Sequence, residues 1–286
     1  MKKNLDALIE ALAVSASEKR CAALGNSVSL VLKTPGLYGA ATTQWPAVNP
    51  DNIALMSFEC RGHSGMVAAV ASGNYKDSGC TVASAILVLS VIKEFAQPLI
   101  SEADIGPALR RSLINAHDDI IKMSKCNRLA VSFPTVAGRR TSLAGIGCTA
   151  SVMAVFDNAV WGAHIGDTSA FIVRDNCCKK LNIEDTLEHH IHRNGKKEEV
   201  PADMADIVMR VLGSKDAEFS LAKVNIGPND RLILGNSGLH KILTSWNLRD
   251  LPADAPQAQN ALAQQMKEEI FYAPATLCVI SILEAD

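Results

Sequence analysis

The sequence predicts an α+β protein whose strands stack as a sandwich, not as a parallel βαβ sheet. Three observations carry this expectation. Hairpin-like strands stand near both ends of the chain, two long helical patterns are inserted between them, and the apolar period changes from helical to strand-like at Cys148. No internal repeat, linker-like composition or low-complexity tract divides the 286 residues. Residues 27–286 therefore read as one domain behind an N-terminal helical extension over 1–26, where Leu5, Leu8, Ile9 and Leu12 fall at helical spacing.

Along the chain, Ser27–Leu32 and Gly39–Thr43 read as short strands around a Pro35-Gly36 turn, and Asn52–Phe58 as a third. Asp77–Ile100 is apolar on most faces and predicts a buried helix. A second helix is drawn by Ile105, Leu109, Leu113, Ala116, Ile120 and Met123, which recur at spacings of three and four. Thr149–Phe156 and Val160–His164 predict a hairpin with Asp157-Asn158 in its turn. Ala170–Val173 continues as a strand that turns at Arg174-Asp175-Asn176. Polar sequence over 176–202 reads as a loop or insertion, and Asp203–Leu212 as a short helix closed by Gly213. Arg231–Leu234 predicts a strand, Leu239–Leu243 and Gln257–Glu269 predict helices, and Thr276–Leu283 is the last strand.

Composition excludes several function classes. A formal charge of −2 with scattered Lys and Arg gives no electrostatic footprint for nucleic acid or a membrane surface. The longest apolar run, Val82–Ile92, is too short to span a bilayer, and Asp6 and Glu10 interrupt any signal-peptide core. The eight cysteines form no C-x-x-C pair and no zinc spacing, as expected for reduced thiols in a cytoplasmic protein. His189, His190 and His192 beside Glu188 are the one histidine cluster, read as a solvated loop because no second ligand pair stands nearby. Cys60 with His63 three residues on is a weak thiol–base pair against the reading of a buried cysteine. Gly235-Asn236-Ser237-Gly238 is not a nucleophile elbow, because Leu239 stands where glycine is needed. A phosphate-binding G-x-x-x-x-G-K-[ST] loop is lacking.

Several segments in succession carry a resemblance. They are Gly39-Ala40-Ala41-Thr42, Asn49-Pro50-Asp51, Phe58-Glu59-Cys60-Arg61-Gly62-His63, Gly147-Cys148-Thr149-Ala150, His164–Phe171 around Gly166-Asp167, Met209–Gly213, Gly235–Leu239 and Ala273–Leu277. In this order they resemble the metal-dependent Ser/Thr protein phosphatases, the PPM or type 2C family, as a degenerate member. The resemblance implies two antiparallel β-sheets packed as a sandwich with helix pairs on both outer faces.

It also implies a chemistry: hydrolysis of a phosphomonoester by water held between two Mg²⁺ or Mn²⁺ ions, which repel unless clustered carboxylates neutralise them. Carried over, the family's acidic positions read Pro50 for a glutamate, Glu59 for the bridging aspartate, Ser237 for the Ser-Asp-Gly aspartate and Ala273 for the late aspartate. Asp51 and Asp167 are retained, Cys60 replaces a glycine, and Trp45–Val48 offers no phosphate-gripping arginine. A site left with Asp51 and Glu59 places roughly two negative charges where two dications need about four.

The expectation is a pseudophosphatase that needs no metal and binds or regulates a protein partner, such as a phosphoprotein or a kinase-pathway component. Asp51, Glu59, Cys60, His63, Asp167, Ser237 and Ala273 would mark its vestigial cleft. The alternative is an active phosphatase with an altered Mn²⁺ or Mg²⁺ site on Asp51, Glu59 and Asp167. A further possibility is association through the N-terminal amphipathic helix.

Overall fold

Two six-stranded sheets form the centre of the molecule. The computed structural model describes residues 20–23, 27–44, 50–73, 80–125, 146–193, 200–201, 204–215, 217–245, 251–269 and 275–284. The strands in chain order are β1 (Arg20–Ala23), β2 (Ser27–Thr34), β3 (Leu37–Gln44), β4 (Asn52–Cys60), β5 (His63–Gly73), β6 (Cys148–Phe156), β7 (Ala159–Ile165), β8 (Ser169–Arg174), β9 (Cys177–Lys180), β10 (Ser220–Asn225), β11 (Arg231–Gly235) and β12 (Ala275–Ile282). One sheet runs β1-β4-β5-β6-β7-β10 and the other β2-β3-β12-β11-β8-β9. Every named pair is antiparallel. The helices are α1 (Cys80–Phe95), α2 (Ile105–Lys125), α3 (Leu187–Arg193), α4 (Gly238–Ser245) and α5 (Ala255–Glu269).

Three apolar layers hold this arrangement. Leu55, Met66, Val70 and Met153 of the first sheet meet Ala41, Ile172, Leu234 and Ile280 of the second between the sheets. On the outer face of the first sheet, Leu87 and Val91 of α1 and Leu109, Leu113 and Ile120 of α2 pack on Met56, Val67 and Val152. Opposite, Leu239 and Ile242 of α4 and Leu262 and Met266 of α5 pack on Ile233 and Val279. The two-sheet α+β sandwich with helices on both faces is as the sequence predicts. Each inner strand is covered on both faces, so it reads as a continuous apolar run and not as an alternation.

That double burial explains one element the sequence does not announce. β5 carries Met66–Ala71 fully inside, yet it is rich in alanine, a weak strand former, and has glycine and serine at both ends. β10 is equally silent, being an exposed edge strand with little apolar content. The 176–202 segment is not loop throughout. Asp175 and Asn176, with φ of 50° and 60°, make a tight hairpin into β9, and α3 follows. His189, His190 and His192 therefore lie on a helix.

The helix expected over 203–212 is a turn and extended chain where described. Thr186 bridges Val208, and Leu212 N donates to Cys148 O at 2.9 Å. Pairing with neighbouring chain overrides the local pattern. Arg20–Ala23, which fall within the expected extension, pair as β1 with β4 in the first sheet. The N-terminal amphipathic helix proper lies outside the described residues. Among those described, no helix is long and apolar enough to cross a membrane.

One ion pair closes the far edge of the sandwich. Arg174 Nε and Nη2 donate to the two oxygens of buried Asp230 at 2.8 and 2.5 Å, and Gly227 N donates to Asp230 Oδ2 at 2.8 Å. Asp230→Ala is expected to cost about 2 kcal/mol, the scale of lost charge-assisted bonds, in urea denaturation at neutral pH. Burial pushes this carboxyl up, but the bonds from Arg174 and Gly227 outweigh it and hold it below its ordinary 3.8. Its stabilisation is therefore present above that value and lost as pH falls through the lower folded one, so the variant's deficit should shrink in acid.

Candidate functional site

Buried polar groups from both sheets converge at one end of the sandwich. Asp51 lies just before β4 and is wholly buried. Its backbone is fixed by neighbours: Pro50 O accepts from Ser84 Oγ of α1 at 2.6 Å and from Gly73 N at 3.2 Å, and Asn52 Nδ2 donates to Ser84 Oγ at 2.6 Å. Its Oδ2 accepts from Asn236 Nδ2 at 3.1 Å, its Oδ1 is buried with no hydrogen-bond partner among the described residues, and the hydroxyls of Ser72 and Thr276 stand near enough to lower its pKa. Thr276 in turn lies 2.9 Å from Thr43, hydroxyl to hydroxyl, so the donors form a short chain.

Asp167 sits in the β7–β8 connection, less deeply buried, where Thr149, Ser237 and its own backbone N–H each act to lower its pKa. Ser237 is exposed at the rim. The turn that aims Asp167 is built around Gly166, which has φ +93°. Gly166 O accepts from Asp185 N at 2.7 Å, Gly166 N donates to Asp185 Oδ2 at 3.1 Å, and His164 Nε2 lies 3.0 Å from Gly166 O. His164 itself is buried, with Ser151 Oγ 3.0 Å from Nδ1.

Electrostatics follow from this depth. Burial pushes the Asp51 carboxyl up to about 6, against the bonds from Ser72, Thr276 and Asn236, and the charge of Asp167 pushes it the same way. Burial raises Asp167 as well, opposed chiefly by Thr149. Burial takes the His164 imidazole down to about 4, so it is neutral at pH 7.

The structure brings together Asp51, Asp167 and Ser237 from the predicted set and separates the rest. Glu59 is exposed at the opposite end of β4, eight residues from Asp51, or about 26 Å along an extended strand. Phe58–His63 is a tight hairpin: Arg61 and Gly62 have φ of 54° and 77°, and Cys60 pairs with His63 across them. Its tip docks on Leu99, whose N–H donates to Glu59 O at 2.8 Å. Glu59, Cys60 and His63 are therefore removed from the cleft. Cys60 is core, and burial raises its thiol, so it stays protonated and is no nucleophile. Ala273 lies outside the described residues.

Ser72-Gly73, at the end of β5, stands beside Asp51 where Glu59 was expected. Three further groups the sequence reading did not assign to the site are Thr149, Asn236 and Thr276. All three fall inside the motif segments; Ser72 had a weaker signal, a Ser-Gly ending the apolar run Met66–Ala71.

The donor set can be tested against a pair of divalent ions. Two hard dications a few ångströms apart need about four carboxylates. The described residues supply two, and no group of three or more His, Cys, Asp or Glu converges among them. At Asp51 the neighbours are the amide of Asn236, which donates to Oδ2, and the neutral hydroxyls of Ser72 and Thr276, none of which adds negative charge. A two-metal centre does not fit these residues.

The chain resembles known phosphatases in fold and in sequence. Protein phosphatase PhpP of Streptococcus pneumoniae is 28% identical over 126 residues, 42% of this chain and 51% of PhpP. The chain thus matches about half the length of the curated relatives. The serine/threonine phosphatase PstP/Ppp of Mycobacterium tuberculosis superposes with a TM-score of 0.69 at 18% identity, covering 89% of this chain and all of that one. PstP with two manganese ions gives 0.64 at 19% identity, covering 88% of this chain and all of that one. The PPM Ser-Thr phosphatase MsPP of Mycobacterium smegmatis gives 0.59 at 18% identity, covering 90% and 98%. No family model matches. The fold is that of the PPM Ser/Thr phosphatases, and the resemblance drawn from the motifs is supported by a sequence relative as well.

Proposed function

We propose that this chain is a non-catalytic PPM-fold protein, a pseudophosphatase that binds or regulates a protein partner in the cytoplasm, a phosphoprotein or kinase-pathway component being the partner class. One observation carries the reading: among the described residues the cleft holds two carboxylates, Asp51 and Asp167, and no group of three or more potential ligands converges there. Such a set neutralises too little charge for paired divalent ions and leaves no activated water for a phosphomonoester. Metal is therefore not required. The thiols of Cys60, Cys177, Cys178 and Cys278 agree with a reducing compartment.

A second reading has its own support. Two buried carboxylates with raised proton affinity are also what a site built for one cation looks like without it. An active enzyme would then use a single Mn²⁺ or Mg²⁺ on Asp51 and Asp167. Isothermal titration of the purified protein with MnCl₂ and MgCl₂, alongside p-nitrophenyl phosphate hydrolysis, separates the two. The pseudophosphatase gives neither heat of binding nor metal-dependent turnover. Saturable Mn²⁺ binding with turnover rejects it.

A further inference from the structure

The edge strand β10 presents open backbone groups above a gap in the packing between the sheets. Just past the strand, Ile226 N donates to Asn158 O at 2.9 Å, which fixes the phase of its antiparallel ladder with β7. Ser220, Ala222 and Val224 then bond β7, and Leu221, Lys223 and Asn225 turn their N–H and C=O groups outward. Arg174 Nη2 donates to the Asn225 carbonyl at 3.1 Å. Those of Leu221 and Lys223 stay open among the described residues, because β10 is the last strand of its sheet. A lysine often guards such an edge, but Lys223 is drawn off it. Its Nζ donates to Glu102 Oε1 at 2.8 Å and lies 4.6 Å from the centre of the Trp161 ring.

Beneath this edge the inter-sheet layer holds a cavity of about 390 Å³, counted out to its mouth. Two small residues side by side create it, Gly162 on β7 opposite Ala222 on β10. A Cβ added at Gly162 would meet nothing within 4 Å. Met153, Val160, Val224 and Leu181 supply apolar walls. The polar groups at one end, Ser151, His164 and Asn182, are bonded among themselves, so a guest needs no polar tip there. The mouth lies between β10 and Leu181, where the lining residues reach solvent. Lys179, exposed on β9 two residues before Leu181, stands on the same face at this mouth. Its neighbour Lys180 pairs with Glu184, whereas Lys179 has no carboxylate partner among the described residues.

We propose that this edge docks an extended segment of a partner protein, which adds as a strand to β10 and lays a Leu or Met side chain into the space at Gly162. Main-chain bonds to Leu221 and Lys223 hold such a segment, and its alternate side chains specify it. Strands stand about 4.8 Å apart, so a short side chain on the added strand stops beside Ala222 while a long flexible one crosses it. Side chains two residues apart share a face, so an Asp or Glu at that spacing from the Leu or Met meets Lys179. Neither Asp51 nor Asp167 lines the cavity, and the docking site does not depend on whether the cleft holds metal.

The test is fluorescence anisotropy of the full chain with a capped, labelled peptide, Ser-Thr-Glu-Thr-Leu-Thr-Ser, in which Glu and Leu share one face. Saturable binding is expected. Gly162→Val fills the space and should weaken binding about tenfold, with a melting midpoint no lower than that of wild type. Lys179→Glu, a surface change, should weaken it about threefold at low salt and less at about 0.5 M NaCl. Replacing the leucine of the peptide by serine should match the effect of Gly162→Val without touching the fold. Absence of saturable binding, or binding indifferent to these three changes, overturns the proposal. A sedimenting dimer that Gly162→Val dissociates would put a second copy of this chain on the edge and overturn the choice of partner.

Discussion

Gly166→Ala is expected to destabilise the protein by about 3–5 kcal/mol, the sum of a strained backbone and an overpacked contact. The backbone at Gly166 has φ +93°, a conformation L-residues rarely adopt, and an added Cβ would stand 2.3 Å from Thr149 Cγ2 and 2.5 Å from Thr149 Cβ. Neither atom is the far end of a flexible chain. Thr149 also bonds Asp167, so relief of the clash displaces the donor, and the turn that aims the carboxylate moves with it. The matched control is Gly162→Ala in β7, where nothing lies within 4 Å of the new Cβ and φ is not positive. There alanine should be neutral or stabilise by about 0.5–1 kcal/mol, because glycine loses the most chain entropy on folding. Urea denaturation of both variants decides the matter, and a Gly166→Ala midpoint as high as that of Gly162→Ala would refute the argument.

The same residue illustrates what the sequence makes legible. Gly166-Asp167 follows a strand and precedes another, so its role as a tight turn with a presented carboxylate is readable from pattern alone, as is the sandwich itself. The place of the bridging acid is not. Phe58–His63 has an acid, a glycine and a histidine in nearly the expected order, and only the φ values of Arg61 and Gly62 reveal a hairpin tip at the wrong end of β4. What decides the register is β5, whose alanines carry no strand signal and gain their place by burial between α1 and the opposite sheet. Once β5 is present, its last residues return to Asp51 and bring Ser72 to the carboxylate. Long-range pairing thus selects the site residue, and no local window contains that information.

Asp51→Asn should uncover a pH dependence that the wild-type protein hides. Two buried groups titrate with opposite sign in nearly the same window. Asp51 has a folded value of about 6 against an ordinary 3.8, so between these the folded state holds a proton that the unfolded state has released, and stability falls as pH rises. His164 has a folded value of about 4 against an ordinary 6.5, so there the unfolded state holds the extra proton, and stability rises with pH. Each shift exceeds two pH units, or about 3 kcal/mol at about 1.4 kcal/mol per unit. Together they nearly cancel between pH 4 and 6. Asp51→Asn removes the first, so the His164 contribution of up to about 3 kcal/mol, offset in part by Asp167, whose carboxyl burial also raises, should appear as a loss of stability between pH 7 and 4.5. His164→Gln should do the reverse and gain relative stability toward acid. The readout is the shape of each profile from urea titrations across that range, which is insensitive to a constant packing cost of either substitution. Profiles that run parallel to wild type in both variants would show that neither group carries the assigned proton. The Asp51 step belongs in part to its repulsion with Asp167, so Asp167→Asn should leave the step in place but move it toward lower pH.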